Sequence, residues 1–339
     1  MVVGEGESNW LQVLRDREGG RLKPVYRAPE DGFDLADAPM PAFELLDVGA
    51  YNRLLVQTSR GCPHRCEFCA GSVTLTGRYK QKPIGKVLAE IDRVMEIWPR
   101  PFIEFADDNS FVDKSYWLDL LGALEGRKFR WFTETDISVA DDDRLLGLMH
   151  DSGCAQVLIG LESPVPEALD GLEMRSNWKH KRWADYKDAI AAIQSRGITV
   201  NGCFILGLDG HRADIFDRVF EFVRDTGLYE VQVTVQTPFP GTPLYERLRR
   251  EGRLLEPENW RKCTLFDVNF RPRNMSAEQL EQGFKSLVVK LYGEEFTTWR
   301  RTSSARPAAL KKTSGGSPAT AMSTSEYSSI ALSAAEPNT

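Results

Sequence analysis

Several features that would place this sequence in a particular class are missing from it. It has no uninterrupted apolar run of about 18 residues, so we expect no transmembrane segment. Residues 1–7 carry neither a basic region nor an apolar region, so no secretory signal is expected and a cytoplasmic location follows. Positive charge is also not in excess. The formal net charge of -6 gives no strong signal for a nucleic-acid partner.

Cysteine is scarce, and its distribution along the chain is uneven. Only six of the 339 residues are cysteine, and three of them, Cys62, Cys66 and Cys69, fall within eight residues. In a reducing compartment such a group indicates metal ligands, because disulfides are rare there. The other three cysteines are isolated and are predicted to be small buried apolar side chains. They are Cys154, Cys203 and Cys263.

The central part of the sequence alternates short apolar runs with amphipathic segments. Strands are predicted at 54–57, 102–106, 130–133, 156–161, 198–206 and 230–236. Helices are predicted at 86–98, 117–124, 141–151, 184–194, 215–225 and 245–250. Six consecutive strand–helix units predict an α/β fold with a parallel sheet, which is a partial (βα)6 TIM-like barrel. Barrels of this kind carry their chemistry at the carboxyl ends of the strands, and the cysteine loop follows the first strand.

Four segments are predicted from the change in composition along the chain. Residues 1–52 precede the core and contain several prolines, and residues 53–251 form the core itself. Residues 252–301 are predicted to form a small helical extension, with one amphipathic helix at 277–292. Residues 302–339 are rich in Ser, Ala, Thr, Gly and Pro, and such a composition predicts a disordered tail.

The cysteine loop reads RGCPHRCEFC over residues 60–69, which gives the spacing C-x3-C-x2-C. Three thiolates can hold three corners of a 4Fe–4S cluster, whereas a cluster that only carries electrons normally takes four. An iron without a protein ligand is an open position, as catalytic metal sites have. A structural zinc site is the alternative, but no fourth Cys or His falls at the spacing of a zinc finger. His64, inside the loop, is expected at the surface.

With Phe68 directly before the third cysteine, this loop resembles the signature of the radical S-adenosylmethionine (SAM) superfamily. Its members reductively cleave SAM to methionine and a 5′-deoxyadenosyl radical. The resemblance implies that Cys62, Cys66 and Cys69 hold the cluster and that the open iron binds the amino and carboxylate groups of SAM. It also implies an electron donor such as a flavodoxin or ferredoxin.

The same resemblance implies SAM contacts at the ends of later strands. Asp107 and Asp108 stand where relatives often carry a Gly-Gly-Glu stretch near the methionine amino group, or they precede a helix as a capping run before Ser115. Glu162 is expected near the ribose hydroxyls, unless it braces a loop. Gly207 lies in a stretch expected to line the adenine, and Phe68 is assigned to the same cofactor. No substrate-side catalytic residue is predicted.

Longer stretches narrow the resemblance to one branch. Residues 57–63, 152–163, 236–245 and 266–272 are similar to the cobalamin-dependent radical SAM proteins, and in particular to the branch that includes the hopanoid C-2 methylases. This implies methylation of an unreactive carbon in a small-molecule or lipid-like substrate.

The branch also implies cobalamin as a further cofactor. Residues 1–7 resemble only the last strand and turn of a cobalamin-binding domain, and such a domain needs on the order of 100 residues. We therefore expect this chain alone to bind cobalamin weakly or not at all. The alternatives are a truncated product, a separate cobalamin-binding protein, or chemistry without cobalamin.

Two other functions stay open at this point. An RNA methylthiotransferase would use the basic segment at 179–183, which reads KHKRW, although a solvated helix start is the better explanation of that segment. A non-catalytic iron–sulfur or zinc-binding module is the second alternative, and it would not release 5′-deoxyadenosine from SAM.

Overall fold

The computed structural model describes residues 1–71 and 78–303. The strands within these ranges are β1 (Val2–Val3), β2 (Tyr26–Arg27), β3 (Leu54–Val56), β4 (Ser59–Arg60), β5 (Lys80–Gln81), β6 (Phe102–Ser110), β7 (Arg130–Thr135), β8 (Cys154–Glu162), β9 (Thr199–Leu206) and β10 (Glu230–Val235). The helices are α1 (Glu7–Glu18), α2 (Ile84–Ile97), α3 (Lys114–Leu124), α4 (Asp143–Asp151), α5 (Trp178–Arg182), α6 (Tyr186–Ser195), α7 (Ile215–Thr226), α8 (Pro243–Arg250), α9 (Ala277–Tyr292) and α10 (Glu294–Ser303).

Six of these strands form one parallel sheet, in the order β10-β9-β8-β7-β6-β3. Strands β3 and β10 lie at opposite ends of this order, so the sheet does not close on itself. The predicted partial (βα)6 TIM-like barrel is therefore confirmed. The carboxyl ends of all six strands lie at the same edge, where the loops that carry the predicted site residues meet.

The two faces of the sheet have different chemistry because side chains alternate along a strand. The face toward the helices is apolar and fully packed, and at its centre the Phe105 ring contacts the rings of Trp117 and Trp131 at centroid distances of 5.4 and 5.3 Å. On β8 the residues of this face are Val157, Ile159 and Leu161, all fully buried. The opposite face lines the interior of the barrel and carries many polar side chains.

The second sheet strand extends further than its apolar run indicates. The predicted strand at 102–106 continues to Ser110 as part of β6, and its register with β7 shifts between Phe105 and Ser110. Polar side chains occupy this extension and are held by buried hydrogen bonds, so an apolar pattern could not reveal it.

The carboxyl-terminal extension contains two helices where the sequence predicted one. Helix α9 has the predicted bounds and begins with a capping box formed by Ser276 and Gln279. Helix α10 follows and is attached by the fully buried Arg300, whose guanidinium donates to the carbonyls of Tyr229 and Leu291 at 2.8 and 3.2 Å. Residues 302 and 303 therefore end a helix. The remainder of the predicted disordered tail, 304–339, lies outside the described residues.

The amino-terminal segment is more structured than the strand and turn that its sequence predicts. Strand β1 pairs in parallel with β2 across helix α1. Glu5, in the turn between β1 and α1, binds Lys80 at 2.7 Å, and Glu7, the first residue of α1, binds Arg60 at 2.7 Å. These ion pairs attach the segment to the two strands that flank the cysteine loop. Within residues 1–71 and 78–303, no helix combines the length and apolar character needed to cross a bilayer.

Candidate active site

The three clustered cysteines follow β3 and β4, at the carboxyl edge of the sheet. Cys66 is buried, Cys62 and Cys69 are partly buried, and none of the three forms a disulfide. Burial, with smaller contributions from Glu162, Cys69 and Cys62, raises the pKa of the Cys66 thiol to about 12, although Lys179 opposes this. The amide of Asn109 approaches the Cys62 sulfur at 3.8 Å. The loop thus holds three thiols near one another, and the protein shields them partly from solvent.

This donor set fits an iron–sulfur cluster better than a single metal ion. Among the residues the structure describes, no three Cys, His, Asp or Glu side chains converge on one point where they could share an ion. A cubane does not require such convergence, because each thiolate binds a different iron. Soft thiolates are also the ligands that iron–sulfur clusters select.

A buried carboxylate from the segment after β8 holds the cysteine loop in shape. Glu173 is 1% exposed, and its Oε1 accepts from the backbone N–H groups of Arg65 and Arg175 at 3.1 and 3.0 Å. Its Oε2 accepts from the Ser176 backbone and hydroxyl, both at 2.8 Å, and from the Trp178 N–H at 3.3 Å. Although burial opposes ionisation, these donors lower the pKa of Glu173 to about 2. Nothing in the sequence singles this residue out.

Helix α8 holds the loop from the other side. The Leu244 N–H donates to the Glu67 carbonyl at 3.0 Å, and Arg247 binds the Glu67 carboxylate through two nitrogens at 2.9 and 2.7 Å. The third nitrogen of Arg247 binds Asp209, in the turn after β9, at 2.6 Å. A single guanidinium therefore connects the cysteine loop to the loop that carries Gly207.

His64 is not the free surface residue that its position in the loop suggested. Its Nε2 lies 3.1 Å from the Asp136 carboxylate, and its ring stacks on Trp178 at a centroid distance of 5.3 Å. Burial alone would raise the pKa of Asp136, but hydrogen bonds from His64, Ser138 and Asn109 lower it well below its ordinary value. Asp136 is thus an ionised carboxylate beside the cysteine loop, and the sequence analysis missed it.

The two consecutive aspartates at the end of β6 differ in their surroundings. Asp107 is buried, and its oxygens accept from the backbone of Thr58 and Ser59 at 2.8 Å and from the Ser110 hydroxyl at 3.1 Å. Burial raises its pKa despite these donors. Asp107 therefore braces the strand that leads into the cysteine loop, and its acceptors are occupied.

Asp108, by contrast, is accessible to solvent beside the cysteine loop. It is exposed, and one of its oxygens accepts from the Gly61 N–H at 2.7 Å, directly before Cys62. The other oxygen lies against Gly71, where an added Cβ would stand 3.2 Å from it. The capping alternative is not supported, because the residue that caps α3 is Asp113.

Glu162 and Lys179 form a shielded ion pair at the end of β8. The Lys179 Nζ lies 2.7 Å from the Glu162 carboxylate and donates to the Gly160 carbonyl at 2.7 Å. Glu162 adopts a positive φ of 62°, a conformation that turns its side chain out of the regular strand. A Cβ at Gly160 would collide with both partners. Burial opposes the charge of Lys179, but Glu162 and Cys66 raise its pKa above the ordinary value.

The turn after β9 is fixed by a neutral histidine. Gly207 has a φ of 92°, and a Cβ there would approach Leu280 and Phe270 at 2.8 Å, so only glycine fits. The Gly207 N–H donates to Nδ1 of His211 at 3.2 Å, while Nε2 of the same ring lies 2.9 Å from the Ser163 hydroxyl. Burial lowers the pKa of His211 to about 3. His211 therefore joins the Gly207 turn to the residue that follows Glu162.

Further charged side chains face the interior of the barrel. Arg53 pairs with Glu104 at 2.7 Å, and alternation along β7 places Glu134 on the same face. Burial and neighbouring carboxylates raise the pKa of Glu134 to about 7. These residues were not predicted, because a charged residue within a short strand gives no indication of its partners.

The structure also describes Phe68 and the basic segment at 179–183. Phe68 is partly buried and packs against the hydrophobic core. In the basic segment considered for RNA, Lys179 is paired with Glu162 and Arg182 binds Asp141 at 2.6 and 2.8 Å. The other three residues of the segment, His180, Lys181 and Trp183, are exposed.

Comparison with known families agrees with this geometry. The model of the radical SAM superfamily matches residues 56–223, and a model described as a domain of unknown function (DUF4070) matches residues 242–325. The chain belongs to the radical SAM superfamily. This family uses a 4Fe–4S cluster and SAM, so the cofactors expected from the cysteine loop are confirmed.

Two similar proteins indicate the branch of the radical SAM superfamily to which this chain is related. The hopanoid C-2 methylase of Rhodopseudomonas palustris is 30% identical over 247 residues, covering 70% of this chain and 45% of that protein. An uncharacterized methyltransferase of Synechocystis is 29% identical over 296 residues, covering 85% and 54%. The chain therefore spans about half the length of the curated relatives it matches.

Two solved structures share the fold. The methyltransferase TsrM of Kitasatospora setae, with tryptophan and a SAM analogue bound, has a TM-score of 0.64 at 16% identity and covers 84% of this chain and 60% of its own. OxsB, with aqua-cobalamin and SAM bound, also has a TM-score of 0.64 at 16% identity and covers 91% and 53%.

Proposed function

We propose that Cys62, Cys66 and Cys69 ligate a 4Fe–4S cluster and that this chain reductively cleaves SAM. The observation that carries the proposal is the group of three cysteines without a disulfide at the carboxyl edge of a radical SAM barrel. When bound, the cluster supplies one electron, which splits SAM into methionine and a 5′-deoxyadenosyl radical. The protein's task is to hold SAM so that its sulfonium faces that cluster.

We assign SAM contacts to the side chains that the sequence predicted at this edge of the sheet. Asp108, next to the cysteine loop, accepts from the SAM ammonium through the oxygen that the Gly61 N–H does not use. Glu162 accepts from the ribose hydroxyls, beside the Lys179 ammonium group that pairs with its carboxylate. Phe68 and the Gly207 turn border the adenine. Asp107 acts indirectly, through the backbone of Thr58 and Ser59.

The overall reaction proposed is methylation of an unreactive carbon in a small-molecule or lipid-like substrate. Support comes from the hopanoid methylase and the TsrM methyltransferase, which resemble this chain in sequence and fold respectively. Cobalamin is the additional cofactor of that chemistry, since the OxsB and TsrM structures include cobalamin-bound forms. A flavodoxin or ferredoxin is proposed as the reductant, and the cytoplasm as the location, because thiolate ligands persist in reducing compartments.

Anaerobic reconstitution with iron and sulfide, followed by SAM and dithionite, tests the first step. We expect 5′-deoxyadenosine and methionine in equal amounts, and Cys66→Ala to abolish both while Cys263→Ala leaves them unchanged. Loss of the cluster in Cys263→Ala but not in Cys66→Ala would overturn the ligand assignment. A reconstituted cluster that never yields 5′-deoxyadenosine would instead support the non-catalytic iron–sulfur module.

A hydroxocobalamin titration of the reconstituted chain tests the separate expectation about cobalamin. We expect weak binding or none without a second protein. Tight, stoichiometric binding by this chain alone would show that its own residues suffice.

A further inference from the structure

The outer face of the cysteine loop carries two exposed arginines, Arg65 and Arg175, next to an exposed methionine, Met174. Met174 is 45% exposed, which is high for an apolar side chain of its size. In the ranges 1–71 and 78–303, the Arg65 guanidinium makes no hydrogen bond or ion pair, and Arg175 donates only to the Pro63 carbonyl at 3.3 Å. We call the surface formed by Arg65, Met174 and Arg175 the arginine patch.

The arginine patch lies directly over the proposed cluster ligand Cys66. The two chain segments run side by side, since Cys66 pairs with Glu173 in an antiparallel bridge and the Met174 N–H donates to the Arg65 carbonyl at 2.8 Å. Arg65 immediately precedes Cys66, and consecutive Cα atoms are only ~3.8 Å apart. A protein in contact with the patch would therefore sit one residue away from a cluster thiolate.

Among the described residues, no carboxylate forms an ion pair with either guanidinium group of the patch. Glu173 lies beneath it, but this carboxylate is buried and saturated by backbone and hydroxyl donors. Glu67 is occupied by Arg247, and Asp136 by His64. The chain as a whole has a formal net charge of -6, so two unpaired guanidinium groups beside the cluster are a local exception.

We propose that the arginine patch is the docking surface for an acidic one-electron carrier protein that reduces the cluster. This inference rests on the proposed function, which requires an electron from outside the chain. The reduced carrier loses one electron and the cluster gains it, with no bond made or broken. Arg and Met are residue types enriched in protein interfaces, and the flexible Met174 side chain suits a transient contact.

The test compares a protein reductant with a small one. Cluster reduction is followed anaerobically, in the reconstituted full chain, by loss of the visible absorbance of the cluster. Reduced flavodoxin is one reductant and dithionite the other. The variant is the double charge reversal Arg65→Glu/Arg175→Glu. Its matched control is Arg100→Glu/Lys128→Glu, since Arg100 and Lys128 are exposed at the amino ends of β6 and β7, away from the cysteine loop.

We expect the patch variant to be reduced by flavodoxin about tenfold more slowly than the wild type at low ionic strength, while the control variant keeps the wild-type rate. The difference in rate between the wild type and the patch variant should shrink as the salt concentration rises, because the Debye length falls from about 30 Å at 0.01 M to about 8 Å at 0.15 M. Dithionite should reduce all three proteins at equal rates.

Equal flavodoxin rates for the wild type and the patch variant at low salt would overturn the inference, and so would an equal slowing in the control variant. If charge reversal lowers the iron content, Arg65→Gln/Arg175→Gln replaces it, with a smaller but still salt-dependent deficit expected. Failure of the proposed function gives a different result, because the wild type would then form no 5′-deoxyadenosine even with dithionite.

Discussion

The sharpest test of how the site is built is the substitution Glu173→Gln. It removes a charge and replaces one acceptor oxygen by an NH2 group, while the volume stays the same. Oε1 of Glu173 accepts two backbone N–H groups, and Oε2 accepts two further N–H groups and a hydroxyl. Whichever oxygen is replaced, two or three donors lose their acceptor. At about 1 kcal/mol for each buried bond, we expect a loss of roughly 2–3 kcal/mol in the free energy of unfolding.

Urea unfolding at pH 7 measures this loss, and Glu167→Gln, at an exposed position nearby in the chain, is the control. The effect should also depend on pH. The folded-state pKa of Glu173, about 2, lies below the ordinary 4.5, so its contribution is fully present above pH 4.5 and declines as the pH falls toward 2. A wild-type urea midpoint for Glu173→Gln at pH 7, with unchanged cluster content, would refute the role of Glu173 in holding the loop.

Three further predictions follow from the contacts described. Lys179→Met should lower the free energy of unfolding by about 3 kcal/mol, because it leaves Glu162 buried without its partner. Urea unfolding measures this, and Lys179→Arg should lower the free energy of unfolding by less. Glu134→Gln should stabilise the protein above about pH 7 and have no effect below pH 4.5, since the raised pKa makes ionisation costly only in the folded state; a pH-independent difference would contradict this. Deleting residues 304–339 should leave iron content and 5′-deoxyadenosine yield unchanged, and a loss of either would show that the tail contributes.

Sequence patterns predicted the six sheet strands well because each buried strand of a parallel sheet needs a nearly continuous apolar run. They indicated the cysteine loop because its three cysteines fall within eight residues of the chain. They did not predict Glu173, Asp136 or Arg247, because these side chains reach the loop from distant segments. Helix α10 was missed for a related reason: its attachment depends on the buried guanidinium of Arg300 as well as on the ring of Phe296, which packs against the core.

Aspartates 107 and 108 illustrate the same limit at the scale of one peptide bond. The sequence treats them as equivalent, and both were assigned to the SAM amino group. The alternation of side chains along β6 sends Asp107 into the bracing hydrogen bonds with Thr58 and Ser59 and leaves Asp108 in the open site. Only the register of the strand separates a structural carboxylate from an accessible one.

The long-range bracing of the cysteine loop also determines when, during synthesis, the loop can take its final shape. Glu173 lies 108 residues after Arg65, and Arg247 lies 180 residues after Glu67. At translation rates of about 5–20 residues per second, the ribosome adds Arg247 roughly 10–40 s after Glu67. During that interval the three thiols belong to an unsupported peptide. Iron and sulfide delivery to the nascent chain would therefore meet an incomplete binding loop, and the cluster is best inserted after the last sheet strand and α8 have left the ribosome.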